Sequence, residues 1–178
     1  YKPSYKEFVL LMKRGPQIIY PKDVAQIVLE SNIHNSSKVL EIGSGSGALT
    51  LYLYTLLKNT GVLYSLDSSR INQRRADKTI SRYISTLSDE NKDITFINEE
   101  LINFKYNTLN EKIDAIITDV PEPWDFFENN IIDKELSWVS YLPSISQVER
   151  LSTCLKENNF QNIEIKENQY FENYFLLN

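Results

Sequence analysis

The segment that most constrains the fold of this chain is "KVLEIGSGSGALTLYLYTLLK", residues 38–58. A short apolar run of strand character passes through three glycines at alternate positions into a long apolar stretch of helix character. Gly43, Gly45 and Gly47 carry no Cβ, so the backbone there can turn tightly and approach a bound group closely. A strand, a glycine turn and a helix in immediate succession form the opening of a βαβ unit, and a nucleotide-like ligand at the turn is implied.

The rest of the chain repeats the alternation. "KDVAQIVLES" places Val24, Ile27 and Val28 at helical spacing behind Pro21, a residue suited to a helix start. "GVLYSLD" reads as a second strand ending in Asp67, and the stretch to about Leu87 as a helix with basic residues on its exposed positions. "DITFINEE" and "KIDAIITDV" supply a third and a fourth strand, apolar enough to be covered on both faces. "WVSYL" around Trp138 gives a fifth. "SQVERLSTCLKENNF" then sets Val148, Leu151 and Leu155 on one helical face, and "QNIEIKE" and "NYFLLN" read as closing edge strands. The pattern predicts a Rossmann-like α/β fold: a doubly wound, mostly parallel sheet with an antiparallel C-terminal edge. Two connections are abbreviated. A full helix and a turn are expected between Phe127 and Trp138, where the chain offers "ENNIIDKELS", and the link from Lys166 to Phe175 is short.

With 178 residues, 42% of them hydrophobic and 12% aromatic, the chain has material for one sizeable core, and a single domain over 1–178 is expected. No stretch approaches the roughly 20 apolar residues of a membrane span, and the first residues lack a signal-peptide cleavage site, so a cytoplasmic protein is expected. A lone Cys154 and a lone His34 leave no disulfide and no Cys/His metal cluster, and they read as a packed thiol and a loop residue. The net charge of -5 excludes a generic phosphate-coating nucleic-acid binder; any RNA contact has to be local or shared with another subunit.

The loop also satisfies G-x-G-x-x-A through Gly43, Gly45 and Ala48, so by itself it leaves NAD open. Three acidic features shift the balance toward S-adenosylmethionine. Glu41 precedes the glycines, Asp67 ends the second strand and "NEEL" ends the third. In a methyltransferase arrangement the first carboxylate faces the methionine part, the second accepts hydrogen bonds from both ribose hydroxyls, and the third region holds adenine.

Three further strings narrow the reading: "RGPQIIYPKD" from Arg14 to Asp23, "TDVPEPW" from Thr118 to Trp124, and "YLPSISQVERL" from Tyr141 to Leu151. In this order around the glycine loop the chain resembles the tRNA (adenine-N1)-methyltransferase family, which acts on an adenine at position 58 of the T-loop. Precorrin decarboxylating methyltransferases share "VLEIGSGSG" but not the other strings. The resemblance implies that Gln17 and the loop residues Gly43, Gly45, Gly47, Ala48 and Leu49 contact the methionine part of the cofactor, Asp67 its ribose and Glu100 its adenine. The family usually has Asp at the third place, so Glu100 is a departure and Glu99 a substitute. It further implies that Asp119 sits beside the sulfonium methyl and the incoming base, that Tyr20 and Tyr141 line the base pocket as catalytic residues, and that Pro121, Trp124 and Gln147 complete the substrate side.

The residue chemistry agrees with that assignment. Adenine N1 already has an in-plane lone pair, so alignment and electrostatics dominate over proton abstraction. A carboxylate after the fourth strand can accept a hydrogen bond from the N6 amine and offset the charge spreading over the product ring; Asp119 is placed for this, with prolines just after it restricting the backbone. A T-loop adenine must be extruded into such a pocket, where aromatic residues stack on it. Arg70, Arg74, Lys78 and Arg82 recur every fourth residue, a stripe that either meets tRNA phosphates or is a solvated face.

The resemblance also implies a small β-rich domain ahead of the matched segment, which is not expected within this sequence, and assembly as a homotetramer or with a related non-catalytic subunit. Competing readings are a class I methyltransferase of a small molecule or protein, and a non-catalytic subunit of the tRNA enzyme. Intact Gly43, Gly45, Gly47, Asp67 and Asp119 weigh against the last. A dehydrogenase is more distant, because nothing resembles a hydride-transfer acid or base.

Overall fold

The computed structural model describes residues 4–12, 17–57, 60–85, 94–132 and 135–167. In chain order the elements are α1 (Tyr5–Leu10), α2 (Pro21–Glu30), β1 (Lys38–Ile42), α3 (Ala48–Leu57), β2 (Val62–Leu66), α4 (Arg70–Ser85), β3 (Ile94–Ile97), β4 (Ala115–Thr118), β5 (Ser137–Ser140) and α5 (Ile145–Glu157). Short 3₁₀ turns occupy Tyr106–Thr108 and Pro123–Glu128. The five strands form one sheet in the order β3-β2-β1-β4-β5, every neighbouring pair parallel.

The central strands are buried because both of their faces are covered, which is why they read as continuous apolar runs rather than alternating ones. Side chains still point alternately to the two faces. Val39, Leu63 and Ile117 join Val24, Leu53, Leu57 and Ile80 beneath α2, α3 and α4. Leu40, Ile42, Tyr64, Leu66 and Ile116 point the other way, toward Phe104, Ile113 and Phe126. A third cluster, Trp124, Leu151 and Leu155, anchors α5 over the second 3₁₀ turn, and Cys154 packs at its edge.

The helix expected before the fifth strand is not formed among the described residues there. Aromatic packing covers that face instead: the Phe126 ring lies 5.3 Å from Trp138, 5.4 Å from Phe127, 6.0 Å from Tyr106 and 6.4 Å from Phe104. Asn130, 6% exposed, ties the loops together. Its side-chain amide donates to the carbonyls of Phe104 and Phe126 at 2.8 Å each, and its oxygen accepts from Tyr106 N at 2.5 Å. A few large rings and one saturated amide thus do in a dozen residues what a helix would do with more, and satisfy backbone groups that a helix would have paired internally.

Helix α1 is not announced by the apolar pattern. It is set by a capping box, in which Ser4 accepts from Glu7 N and Glu7 reaches back to Ser4 N at 2.8 Å. It lies across α3 and α4 through Tyr5 against Tyr52 and Phe8 against Tyr83, with ring centroids 4.9 and 5.3 Å apart. At the other end of the chain "QNIEIKE" carries no ladder pairing within the described residues, and "NYFLLN" and the link leading to it from residue 168 lie outside them. No helix of the described residues is long and apolar enough to cross a membrane.

Phe126 is fully buried at the centre of the aromatic cluster, so Phe126→Ala removes contacts with four rings and leaves a cavity. The expected cost is about 3–5 kcal/mol, read as a lower midpoint in urea unfolding with an unchanged slope.

Candidate active site

The site is built at the carboxyl edge of the parallel sheet, where the strand order reverses between β1 and β4. Crevices in open α/β sheets form at such a switch point because the connections on either side leave in opposite directions. Gly43 leaves β1 there with φ +101°, and a Cβ on it would stand 2.4 Å from the carbonyl oxygen of Asp119. Asp119 N in turn donates to Ile42 O at 2.8 Å. Only glycine allows the turn to lie this tightly against the end of β4. Gly47, at φ +83°, does the same against α4, where a Cβ would come within 2.6 Å of Ala76 Cα. Gly45, at φ +49°, faces open space, with no atom within 4 Å of where a Cβ would stand. Two glycines thus close the loop onto the protein and one leaves backbone accessible to a ligand.

Asp67, partly exposed just past β2, holds the open part of that loop: its Oδ2 accepts from Gly45 N at 3.1 Å and its Oδ1 from Ser69 N at 2.8 Å. Asn72 donates to the same carboxylate at 3.3 Å, and the Asn98 side chain donates to the carbonyls of Asp67 and Ser68 at 2.8 Å each. Asp67 therefore keeps acceptor capacity toward the crevice while its backbone is pinned. Neither Asn72 nor Asn98 stands out in the sequence, since lone asparagines carry no motif.

Glu41, expected from its position before the glycines on the methionine side of a cofactor, lies beneath the glycine loop. Its carboxyl is fully buried there. Thr50 Oγ1 donates to one oxygen at 3.0 Å, the other shares a 2.5 Å hydrogen bond with Ser65 Oγ, and Ser65 is linked to Ser44 Oγ at 2.7 Å. Desolvation pushes its pKa up to about 8, against the opposing pull of the Ser65 and Thr50 hydroxyls. Its place inside the sheet follows from strand alternation, which puts it on the α3 side with Val39. It joins β1, β2 and α3 under the loop and acts on the site through them. Tyr5 adds a tie from above, its hydroxyl donating to Ala48 O at 3.0 Å.

Asp119 is partly exposed, and desolvation raises its pKa to about 6. Tyr141, 38% exposed, follows β5, with its N–H bonded to Thr118 O at 2.9 Å. Burial, then the nearby Asp23 carboxylate, holds its hydroxyl pKa up. Asp119 and Lys22 also act on Tyr141, so the start of α2 and the ends of β4 and β5 meet here. Tyr20, 47% exposed, precedes α2 and offers its carbonyl to Asp23 N and Val24 N.

The remaining candidates divide. Gln17 is exposed, and Arg14–Pro16 before it lie outside the described residues. The side chains of Ala48 and Leu49 are buried, so only their backbone can serve a ligand. Glu99 and Glu100 both emerge exposed after β3, and the fold does not choose between them. Pro121 is exposed and its carbonyl accepts from Gln147 Nε2 at 2.9 Å. Trp124 is 8% exposed and belongs largely to the third core cluster, with the Arg150 guanidinium 4.0 Å above its ring. Arg70, Arg74, Lys78 and Arg82 run along α4; Arg70 donates to Asn98 Oδ1 at 2.9 Å.

The strand order, the glycine turn after β1 and the carboxylates after β2 and β4 define a Rossmann-like class I methyltransferase fold. An S-adenosylmethionine-dependent O-methyltransferase structure from Thermotoga maritima shares it, with a TM-score of 0.72, 22% identity and coverage of 87% of this chain and 56% of that one. The chain belongs to the family described as the tRNA methyltransferase complex GCD14 subunit, whose sequence pattern matches residues 6–174. It is 32% identical to the tRNA (adenine(57)-N(1)/adenine(58)-N(1))-methyltransferase TrmI of Methanocaldococcus jannaschii, over 93% of this chain and 66% of the relative. It is 28% identical to the tRNA (adenine(58)-N(1))-methyltransferase TrmI of Thermus thermophilus, over 90% and 61%. The tRNA methyltransferase TrmI of Aquifex aeolicus superposes with a TM-score of 0.67 at 28% identity, over 88% of this chain and 61% of that one. The chain thus spans 61–66% of the length of these relatives.

The buried Glu41 generates a pH dependence of folding. Its carboxyl takes up a proton more readily in the folded chain than in the unfolded one, where the ordinary value is near 4.5. Its contribution is therefore fully present below pH 4.5 and is lost as pH rises toward about 8. Glu41→Gln, uncharged in both states, is expected to flatten this decline in urea-unfolding free energies measured between pH 5 and 8.

Proposed function

We propose that this chain is the cofactor-binding, catalytic domain of a tRNA (adenine-N1)-methyltransferase that transfers the methyl group of S-adenosylmethionine to the T-loop adenine at position 58. The observation that carries the reading is Asp119: its backbone is pressed against Gly43 at the switch point, and its carboxylate is half-withdrawn from water and neighboured by Tyr141. The relatives whose names carry this activity span nearly all of this chain.

The residues at the edge fit the cofactor. Gly45 leaves space for close approach, Asp67 has lone pairs for two ribose hydroxyls, and the exposed Glu99 and Glu100 after β3 are the candidates for the adenine. Bound there, S-adenosylmethionine supplies an electrophilic methyl on a sulfonium. Gln17 and the backbone of Ala48 and Leu49 would line the methionine end. Everything else falls to the chain's own groups. Asp119 accepts a hydrogen bond from the adenine N6 amine, which fixes the ring so that the N1 lone pair points along the transfer axis. The same carboxylate offsets the positive charge that appears on the base as N1 is methylated; its partial burial strengthens that interaction. Tyr20 and Tyr141, both exposed, present aromatic surface to an extruded base. Pro121 and the Gln147 bond to its carbonyl hold the loop that carries Asp119 in one shape.

The tRNA elbow is the partner, and a homotetramer or a heteromer with a related subunit is the assembly this reading carries; relatives in Dictyostelium discoideum and Candida albicans are named as catalytic subunits.

Only ionised Asp119 offsets the positive charge on the base, and it is also the stronger acceptor for N6, so kcat/KM for unmodified tRNA is expected to fall as pH drops through about 6. Asp119→Asn should lose that limb and lower kcat/KM roughly 100-fold or more. The assay is transfer of labelled methyl to a tRNA transcript, with a second transcript lacking the T-loop adenine as control. Undiminished transfer by Asp119→Asn, or equal labelling of the control transcript, would overturn the assignment.

A further inference from the structure

Two residues beyond Asp119 the chain enters an open groove of about 420 Å³, lined by Pro121, Glu122, Trp124, Ser146, Gln147 and Arg150. Its walls are fixed by hydrogen bonds. Ser144 caps α5 by accepting from Gln147 N and donates to Gln147 Oε1 at 2.6 Å, which leaves the Gln147 amide to donate to Pro121 O at 2.9 Å. The first turn of the 13-residue helix α5, through Ser146 and Gln147, brings its partially positive end to the groove.

Two further observations give the groove its chemical preference. Arg150 is exposed, its guanidinium is laid over the Trp124 ring at 4.0 Å, and in a chain of net charge -5 it makes no ion pair among the described residues. Stacking on the indole restricts its rotamers without neutralising it, so the cation is held in place while its N–H donors stay available. Trp124, which lines the groove, is otherwise covered, and its indole N–H is buried without an acceptor among the described residues. A cation held in place beside a helix N-terminus, in one open groove, asks for an anionic oxygen ligand. The Glu122 carboxylate on the rim disfavours a free dianion relative to a singly charged phosphodiester.

We propose that this groove binds the phosphodiester flanking the target adenine, with Arg150 as its principal contact. The inference rests on the tRNA reading above. Extruding a base distorts the backbone on either side of it, and a site beside the base pocket that grips the neighbouring phosphate offsets that cost. Arg150 acts in this scheme on RNA capture and not on the methyl group.

The test compares wild type, Arg150→Gln and Arg150→Lys on an unmodified tRNA transcript. It measures KM for the RNA, filter-binding affinity from 50 to 200 mM salt without cofactor, and cofactor affinity by titration. For Arg150→Gln the expected result is a roughly 3–10-fold rise in KM and Kd for RNA and a salt slope shallower by about one, with cofactor affinity at the wild-type value. Arg150→Lys should keep the wild-type salt slope, because the charge remains. RNA affinity, KM and salt slope all unchanged in Arg150→Gln, while the wild type methylates tRNA, would overturn this inference and leave the proposed function standing. A loss of cofactor affinity alongside RNA affinity would also overturn it, since the change would then be structural. A wild-type chain that binds cofactor and methylates no tRNA would overturn the functional reading itself, and this inference with it.

Discussion

The close approach of the β1 turn to the end of β4 is the contact on which the rest of the site depends. Without a Cβ on Gly43, the backbone of Asp119 can lie against the turn, and Asp119 N can continue the β1–β4 pairing by one further hydrogen bond to Ile42. The carboxylate is thereby delivered beside the glycine loop by main-chain geometry. Any larger residue at position 43 would have to push β4 or the loop away, because the atom it meets is backbone and cannot rotate aside.

Three carboxylates near this contact have different environments and therefore different uses. Glu41 lies inside the sheet among hydroxyls and acts as a tie between strands and helix. Asp67 remains partly in water and spends part of its capacity on Gly45 and Ser69 N–H groups, keeping the loop shaped for a ligand. Asp119 is between these extremes, desolvated enough to interact strongly yet open to a base. The residue types are nearly the same; burial and the donors around each one decide what it can do. A related economy governs the far face of the sheet, where Phe126 and its neighbours with Asn130 replace a helix and leave the carboxyl edge beside Trp124 open as a groove.

Much of this architecture was legible in the sequence. The alternation of apolar runs with glycine and charged segments located β1 to β5 and α2 to α5, because central parallel strands have to be apolar on both faces. What the pattern did not show was α1, whose signal is a capping box and not an apolar stripe, and the aromatic closure after Phe127, whose residues lie in separate segments and meet only in the fold. The glycine loop, Asp67 and Asp119 were legible for a different reason: each follows a strand, and in a parallel sheet all strand ends converge on one edge, whereas Tyr141 was reached through the family resemblance alone.

The sequence by itself determined that these groups share an edge, since strand direction and order of elements suffice for that. Only the tertiary structure decided that Glu41 turns inward, that Trp124 is covered while Arg150 lies across it, and that Asn72, Asn98 and Ser65 hold the acids in place. Those facts depend on which face of a strand a side chain takes and on partners as many as 31 positions away. Periodicity along one segment holds no record of such partners, because hydrogen bonding and desolvation are set by what packs against the segment from elsewhere in the chain.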